Sequence, residues 1–188
     1  VADVICLDMG PNDDPPPMLA EADAAFCHHQ PHLNRRAFSI MKKCRAVVRV
    51  GVGYDTVDLR AAGEAGIRIC NVPDYGTYEV ADHAMGLLLA VARKINALSD
   101  GLRQGPQNWD WALCRPVGRL WGRTLGIVGF GRIGMALAQR ARAFGLRIVF
   151  YDPYVPDGRD KALGVERAET LEALMPQCDF LSLHCPLT

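Results

Sequence analysis

Three glycines and one acid in this chain are spaced to hold a phosphate-bearing nucleotide. Residues 124–134 read TLGIVGFGRIG, and the next apolar run, RIVFY, ends on Asp152. Gly129, Gly131 and Gly134 form a GxGxxG pattern behind the apolar residues Leu125, Ile127 and Val128. Each glycine has a mechanical reason to be there. The first permits a tight strand-to-helix turn, the second lets a pyrophosphate approach the backbone, and the third lets the helix lie close to the strand. Free N–H groups and the positive end of the helix dipole would receive the phosphates. Asp152 would accept hydrogen bonds from the ribose diol of an adenosine. A carboxylate there repels a 2′-phosphate, and no basic residue follows until Arg159, so NAD(H) is favoured over NADP(H).

Other residues invite chemistry and also have plainer explanations. His28, His29 and His32 form an HHxxH cluster, but Pro31 interrupts any helix that would align them, and no Cys or carboxylate completes a metal set. Arg49 sits inside the apolar run AVVRVGVG, and a buried Arg needs an anionic partner. A substrate carboxylate and a structural acid such as Asp55 both suit that role. Asp55 and Asp58 precede Leu59 and read as helix caps. Glu79 and Asp82 fall in the first turn of a long helical pattern, where acids complement the dipole. His83 reads as a packing or capping residue. Trp109, Trp111 and Trp121 read as linker and interface aromatics. His184 ends an apolar run at the edge where open α/β sheets bind ligands.

These residues need elements to carry them. Strands are predicted at Asp3–Leu7, Ala24–Cys27, Ala46–Val50 and Ile67–Cys70, with helical segments such as Asn34–Lys43 and Thr56–Ala65 between them. Such alternation argues a parallel α/β sheet. Gly66 has the position of a helix C-cap. Asn12–Pro17 is a Pro-rich loop. One long helix is predicted from about Tyr78 to Arg103, with Val80, Ala84, Leu87, Leu88, Val91, Ile95 and Leu98 on its apolar stripe. After the glycine unit come a short helix near Leu171–Met175 and a strand at Phe180–His184. The predicted boundary lies inside the long helix: 1–95 a substrate domain, 96–188 a dinucleotide-binding domain holding only the first half of a six-stranded fold.

Bulk properties agree with a globular chain. Its 188 residues are 49% hydrophobic and 22% charged, with 21 basic and 21 acidic side chains. Zero formal charge supplies no electrostatic argument for nucleic acid or an anionic membrane. No apolar run reaches about 18 residues, the length of a membrane span. Cys6, Cys27, Cys44, Cys70, Cys114, Cys178 and Cys185 make an odd set without a CxxC pair, which suits free thiols in a reducing cytoplasm.

Five ordered segments carry a family resemblance: RVGVGYDTVDL at 49–59, NVPDYGTYEVADHAMGLLL at 71–89, GRTLGIVGFGRIG at 122–134, FYDPY at 150–154 and HCPLT at 184–188. The chain resembles the NAD-dependent D-2-hydroxyacid dehydrogenases. The run ARAFGLRIVFYDPYVPDG followed by ALGV is most similar to the branch containing the C-terminal-binding-protein corepressors. Glyoxylate/hydroxypyruvate and phosphoglycerate dehydrogenases are the next resemblances. A flavodoxin-like substrate domain joined to part of a Rossmann domain is the fold this implies, with NAD as cofactor, a small 2-oxo or 2-hydroxy acid as substrate, and a homodimer. Residue by residue, it implies that Val52 and Gly53 present N–H groups to the substrate carboxylate, with Val52 also near the nicotinamide. Gly129, Phe130, Gly131, Arg132, Ile133 and Gly134 would form the pyrophosphate turn, and Tyr151 and Asp152 the adenosine pocket. His184, Cys185, Pro186 and Thr188 would flank the nucleotide on its other side, and His29 and Arg49 would face substrate. The family's carboxylate-binding Arg, its Glu and its acid/base His belong to motifs after the HCPLT segment, so the chain reads as the N-terminal part of a longer enzyme. A NAD(H)-sensing corepressor-type interaction module is the alternative.

Overall fold

The computed structural model describes residues 2–29 and 31–186. Two compact units result, one over 1–75 and one over 76–186. Both are α/β and all their strand pairings are parallel.

The first unit carries β1 (Ala24–Cys27), α1 (Arg35–Ile40), β2 (Ala46–Arg49), α2 (Leu59–Glu64) and β3 (Arg68–Asn71), its strands lying in the order β1-β2-β3. Both helices start on a side-chain cap: Asn34 accepts from the Ala37 N–H at 3.1 Å, and Asp58 from the Ala61 N–H at 2.9 Å. Gly66, at φ +71°, reverses the chain after α2 at a conformation that penalises a Cβ. Phe38, Met41, Val47, Val57, Ala62 and Ile67 form the core between helices and sheet. The strand predicted at Asp3–Leu7 does not form. Its backbone pairs with no neighbour among the described residues, and Val4 and Ile5 are exposed. An apolar run makes a strand only where a sheet edge receives it.

The second unit opens with α3 (Thr77–Ala92) and α4 (Ile95–Arg103). The single helix predicted over this stretch is broken at Lys94, which adopts the left-handed conformation at φ 57°. α4 is re-aimed onto the short 3-10 turns at Pro106–Asn108 and Trp111–Cys114, where Asn108 donates to the Gly101 carbonyl at 3.0 Å. α3 shares a core with the nucleotide-type sheet through Ala81 and Met85. The compact units therefore divide at Tyr75–Gly76, before α3, and not near residue 95 inside the helical stretch.

The sheet of this unit has β4 (Thr124–Val128) at its centre, followed by α5 (Arg132–Ala143), β5 (Arg147–Tyr151), α6 (Arg159–Leu163), β6 (Glu166–Arg167), α7 (Leu171–Leu174) and β7 (Phe180–Leu183). Strand order is β6-β5-β4-β7. The chain moves outward from β4 through β5 to β6, then returns to β4's other side for β7. That reversal is a topological switch point, and open α/β sheets bind ligands outside the carboxyl ends of the strands there. β4 is buried on both faces from Thr124 to Ile127, as a central parallel strand must be. No helix among the described residues is long and apolar enough to cross a membrane.

Candidate functional site

The glycine turn lies at the carboxyl end of β4, beside β7, at the switch point. Its three glycines are held for different reasons. At Gly129 (φ +88°) a Cβ would lie 2.6 Å from the backbone of His184 and Cys185. At Gly134 a Cβ would lie 2.3 Å from the Gly129 carbonyl oxygen, so only glycine lets α5 pass this close to the turn. At Gly131 a Cβ would meet no atom within 4 Å, and the backbone is at φ −75°. Nothing in the fold itself demands a glycine at 131. A ligand backing onto this peptide would demand it, so the residues present fit a pyrophosphate.

Gly131 is the N-cap of α5, and the first intrahelical bond runs from the Met135 N–H to the Gly131 carbonyl at 3.0 Å. The N–H groups of Arg132, Ile133 and Gly134 precede it and have no acceptor inside the helix. Arg132 is exposed and Ile133 half-buried. Both stand at the positive end of a 12-residue helix.

The end of β5 grips this turn. The Gly129 N–H donates to the Tyr151 carbonyl at 3.0 Å. Phe130 turns its ring into the core and stacks on Phe150, with centroids 3.9 Å apart and planes within 9°. The Asp152 carboxylate accepts from the Phe130 N–H at 2.8 Å and from the Tyr154 N–H at 2.9 Å. Phe130 therefore offers a nucleotide neither its side chain nor its N–H group. Asp152 and Tyr151 are half-buried at the edge expected for an adenosine.

On the other side of the turn, the His184 N–H donates to the Val128 carbonyl at 2.7 Å. The His184 ring lies 2.9 Å from the Ser182 hydroxyl, Nε2 to Oγ, and burial lowers its pKa below the ordinary imidazole range. Cys185 and Pro186 are exposed. Thr188 lies outside the described residues.

The substrate-facing candidates of the first unit gather around the end of β2. Arg49 is 5% exposed, yet Asp55 is not among its hydrogen-bond partners. Its Nη1 donates to the Val50 carbonyl at 2.6 Å, its Nη2 lies 3.2 Å from His29 Nδ1, and its buried Nε has no partner among the described residues. No acidic side chain among the described residues pairs with this cation. Gly51 makes room for the guanidinium, since a Cβ there would lie 2.0 Å from Nη1. The sequence signal for Gly51 was present, a glycine two residues after an Arg in an apolar strand, but its meaning depends on where the Arg side chain turns. Val52 and Gly53 are exposed, and the Val52 carbonyl is anchored by the Asn71 side chain at 2.9 Å. His29 is exposed.

Other sequence candidates take structural roles. Asp58 caps α2. Asp82 pairs with Arg140 of α5, tying α3 to the nucleotide-type fold. His83 is exposed on α3. Arg115 lies over the exposed Trp111 ring, 4.0 Å from its centroid.

Comparison with known proteins gives one family. Residues 85–188 match the profile of the D-isomer specific 2-hydroxyacid dehydrogenase NAD-binding domain. The chain is 38% identical over 170 residues to D-3-phosphoglycerate dehydrogenase of Methanocaldococcus jannaschii, covering 90% of this chain and 32% of that protein. It is 40% identical over 174 residues to C-terminal-binding protein 1 of Caenorhabditis elegans, covering 90% and 24%. Among solved structures, D-lactate dehydrogenase of Aquifex aeolicus in complex with NAD and lactic acid superposes with a TM-score of 0.83 at 27% identity, over 92% of this chain and 51% of that one. The chain thus spans a third or less of these curated relatives and about half of that solved structure.

Proposed function

The chain belongs to the D-isomer-specific 2-hydroxyacid dehydrogenase family and carries its NAD-binding domain, and from that premise we propose that it serves an NAD-dependent oxidoreductase that interconverts a 2-oxo acid and a D-2-hydroxy acid. One observation supports this most: a Cβ at position 131 would stand in open space, so the backbone at the start of α5 and at the switch point leaves room for a pyrophosphate to approach. The N–H groups of Arg132 and Ile133 hold the pyrophosphate. Tyr151 and Asp152 line the adenosine side, and His184, Cys185 and Pro186 the other side. When bound, NADH supplies the hydride for the carbonyl carbon of the 2-oxo acid. The protein's share is position and charge.

In the first unit, the Arg49 guanidinium is the natural partner of a substrate carboxylate, because a buried cation with an unpartnered donor gains most from an anion. Val52 and Gly53 add backbone N–H groups, and His29 orients Arg49. The protein forms a homodimer and works in the cytoplasm. Seven unpaired thiols support that reducing compartment.

The test is a fluorescence titration of the protein with NADH and NADPH. NADH binds more tightly, because the Asp152 carboxylate repels a 2′-phosphate. Equal or tighter binding of NADPH would overturn the assignment. A second reading draws on the 40% identity to C-terminal-binding protein 1: a NAD(H)-sensing corepressor-type interaction module. Turnover of glyoxylate, pyruvate or hydroxypyruvate by the whole protein separates the two.

A further inference from the structure

We propose that Asp152 is a positioning residue for the phosphate turn as well as the ribose-binding acid, and this rests on the NAD reading above. A turn built on three glycines is loose, and a loose turn loses binding free energy each time a ligand orders it. Here the end of β5 removes that freedom at successive residues. The Tyr151 carbonyl holds the Gly129 N–H, the Phe150 ring holds the Phe130 ring, and the Asp152 carboxylate holds the Phe130 N–H. The first two grips fix the base of the turn and its side chain. Asp152 fixes the Gly129–Phe130 peptide, one peptide before Gly131 and the free N–H groups of α5.

The arrangement also resolves a conflict of charge. A bare carboxylate beside a phosphate site would repel the ligand. This one accepts two charge-assisted hydrogen bonds, from Phe130 on one oxygen and Tyr154 on the other, which draw its charge toward the backbone and leave its remaining lone pairs for a diol. Cofactor choice and turn geometry thus depend on the same side chain. Removing the acid to admit a 2′-phosphate would also release the turn that receives the pyrophosphate.

Two readouts on the full chain test this, each with Asp152→Ala and Asp152→Asn. In the first, amide hydrogen exchange is followed without nucleotide. In Asp152→Ala the Phe130 amide exchanges about tenfold faster, the change that loss of one net hydrogen bond corresponds to, while the Gly129 amide, held by Tyr151, keeps its rate. Unchanged Phe130 exchange would overturn the proposal whatever the nucleotide data say. In the second, NADPH is titrated. Asp152→Asn sheds the charge and keeps one acceptor, so it binds NADPH more tightly than the parent chain. Asp152→Ala sheds the charge and the grip, so it binds NADPH more weakly than Asp152→Asn. Equal NADPH affinity of the two variants would show that the grip does not serve the phosphates, and the proposal would fall. If the parent chain bound no nucleotide, the NAD reading and the phosphate role would fall together, with the exchange data still deciding whether Asp152 holds the turn.

Discussion

At the scale of single residues, three glycines that look alike in the motif have separable duties. Gly131→Val fills the one position of these three whose Cβ meets no atom within 4 Å, so NADH binding, read by calorimetry, is lost while the melting temperature stays close to that of the parent. Gly134→Ala does the reverse. Its methyl group meets the Gly129 carbonyl oxygen, so stability drops by about 1–3 kcal/mol, as overpacking a tight contact does, measurable by urea denaturation. His184 adds a pH dependence. Burial lowers its folded pKa below the unfolded value, so the folded state binds fewer protons and favours the neutral ring. Stability is full above the unfolded value of about 6.5 and is lost as pH falls from there through the folded pKa. Urea midpoints measured across that window fall with acid in the parent, and fall less in His184→Gln. A parallel fall in both would remove His184 as the cause. The spacing of the glycines and Asp152 was legible because those residues act within one βαβ unit. Arg49's unpartnered Nε and the two N–H groups on Asp152 were not legible, because they depend on where side chains turn after folding.

At the scale of elements, local signals held where local chemistry decides. Asn34 and Asp58 cap helices within a residue or two of the predicted starts, because a cap acts within its own turn. Asp58→Ala therefore costs about 0.5–2 kcal/mol, read as a shift in the denaturation midpoint. Asp55→Ala has little effect, since Asp58 alone makes the capping bond to Ala61. Local signals failed where a distant partner decides. The helical stripe runs through Arg93 and Lys94 without Gly or Pro, yet the helix breaks there. Arg93 reaches the Gly118 carbonyl at 3.3 Å, and α4 packs on turns later in the chain. The run Asp3–Leu7 has strand composition but pairs with no strand among the described residues. β6, two residues long, forms only because β5 offers Val149 and Phe150 as register partners, and nothing in the composition of Glu166–Arg167 announces it.

At the scale of the whole molecule, each unit has its own parallel sheet and core, and alternation of strand and helix was enough to read that. The edges of the sheets carry the physical risk. Among the described residues β7 borders β4 on one side only and exposes Leu181 and Leu183, the latter 65% accessible. An apolar edge strand with unpaired N–H and C=O groups is a template for pairing with another chain. Purified 1–188 should therefore form species larger than a dimer as its concentration rises. Leu183→Lys places a charge on that edge, the usual way such strands are blunted. Light scattering coupled to size-exclusion chromatography would follow the change. The larger species recede in Leu183→Lys, while any dimer formed through another surface persists. Larger species that persist undiminished in the variant would clear β7 of the blame and point instead to the exposed Trp109, Trp111 and Trp121.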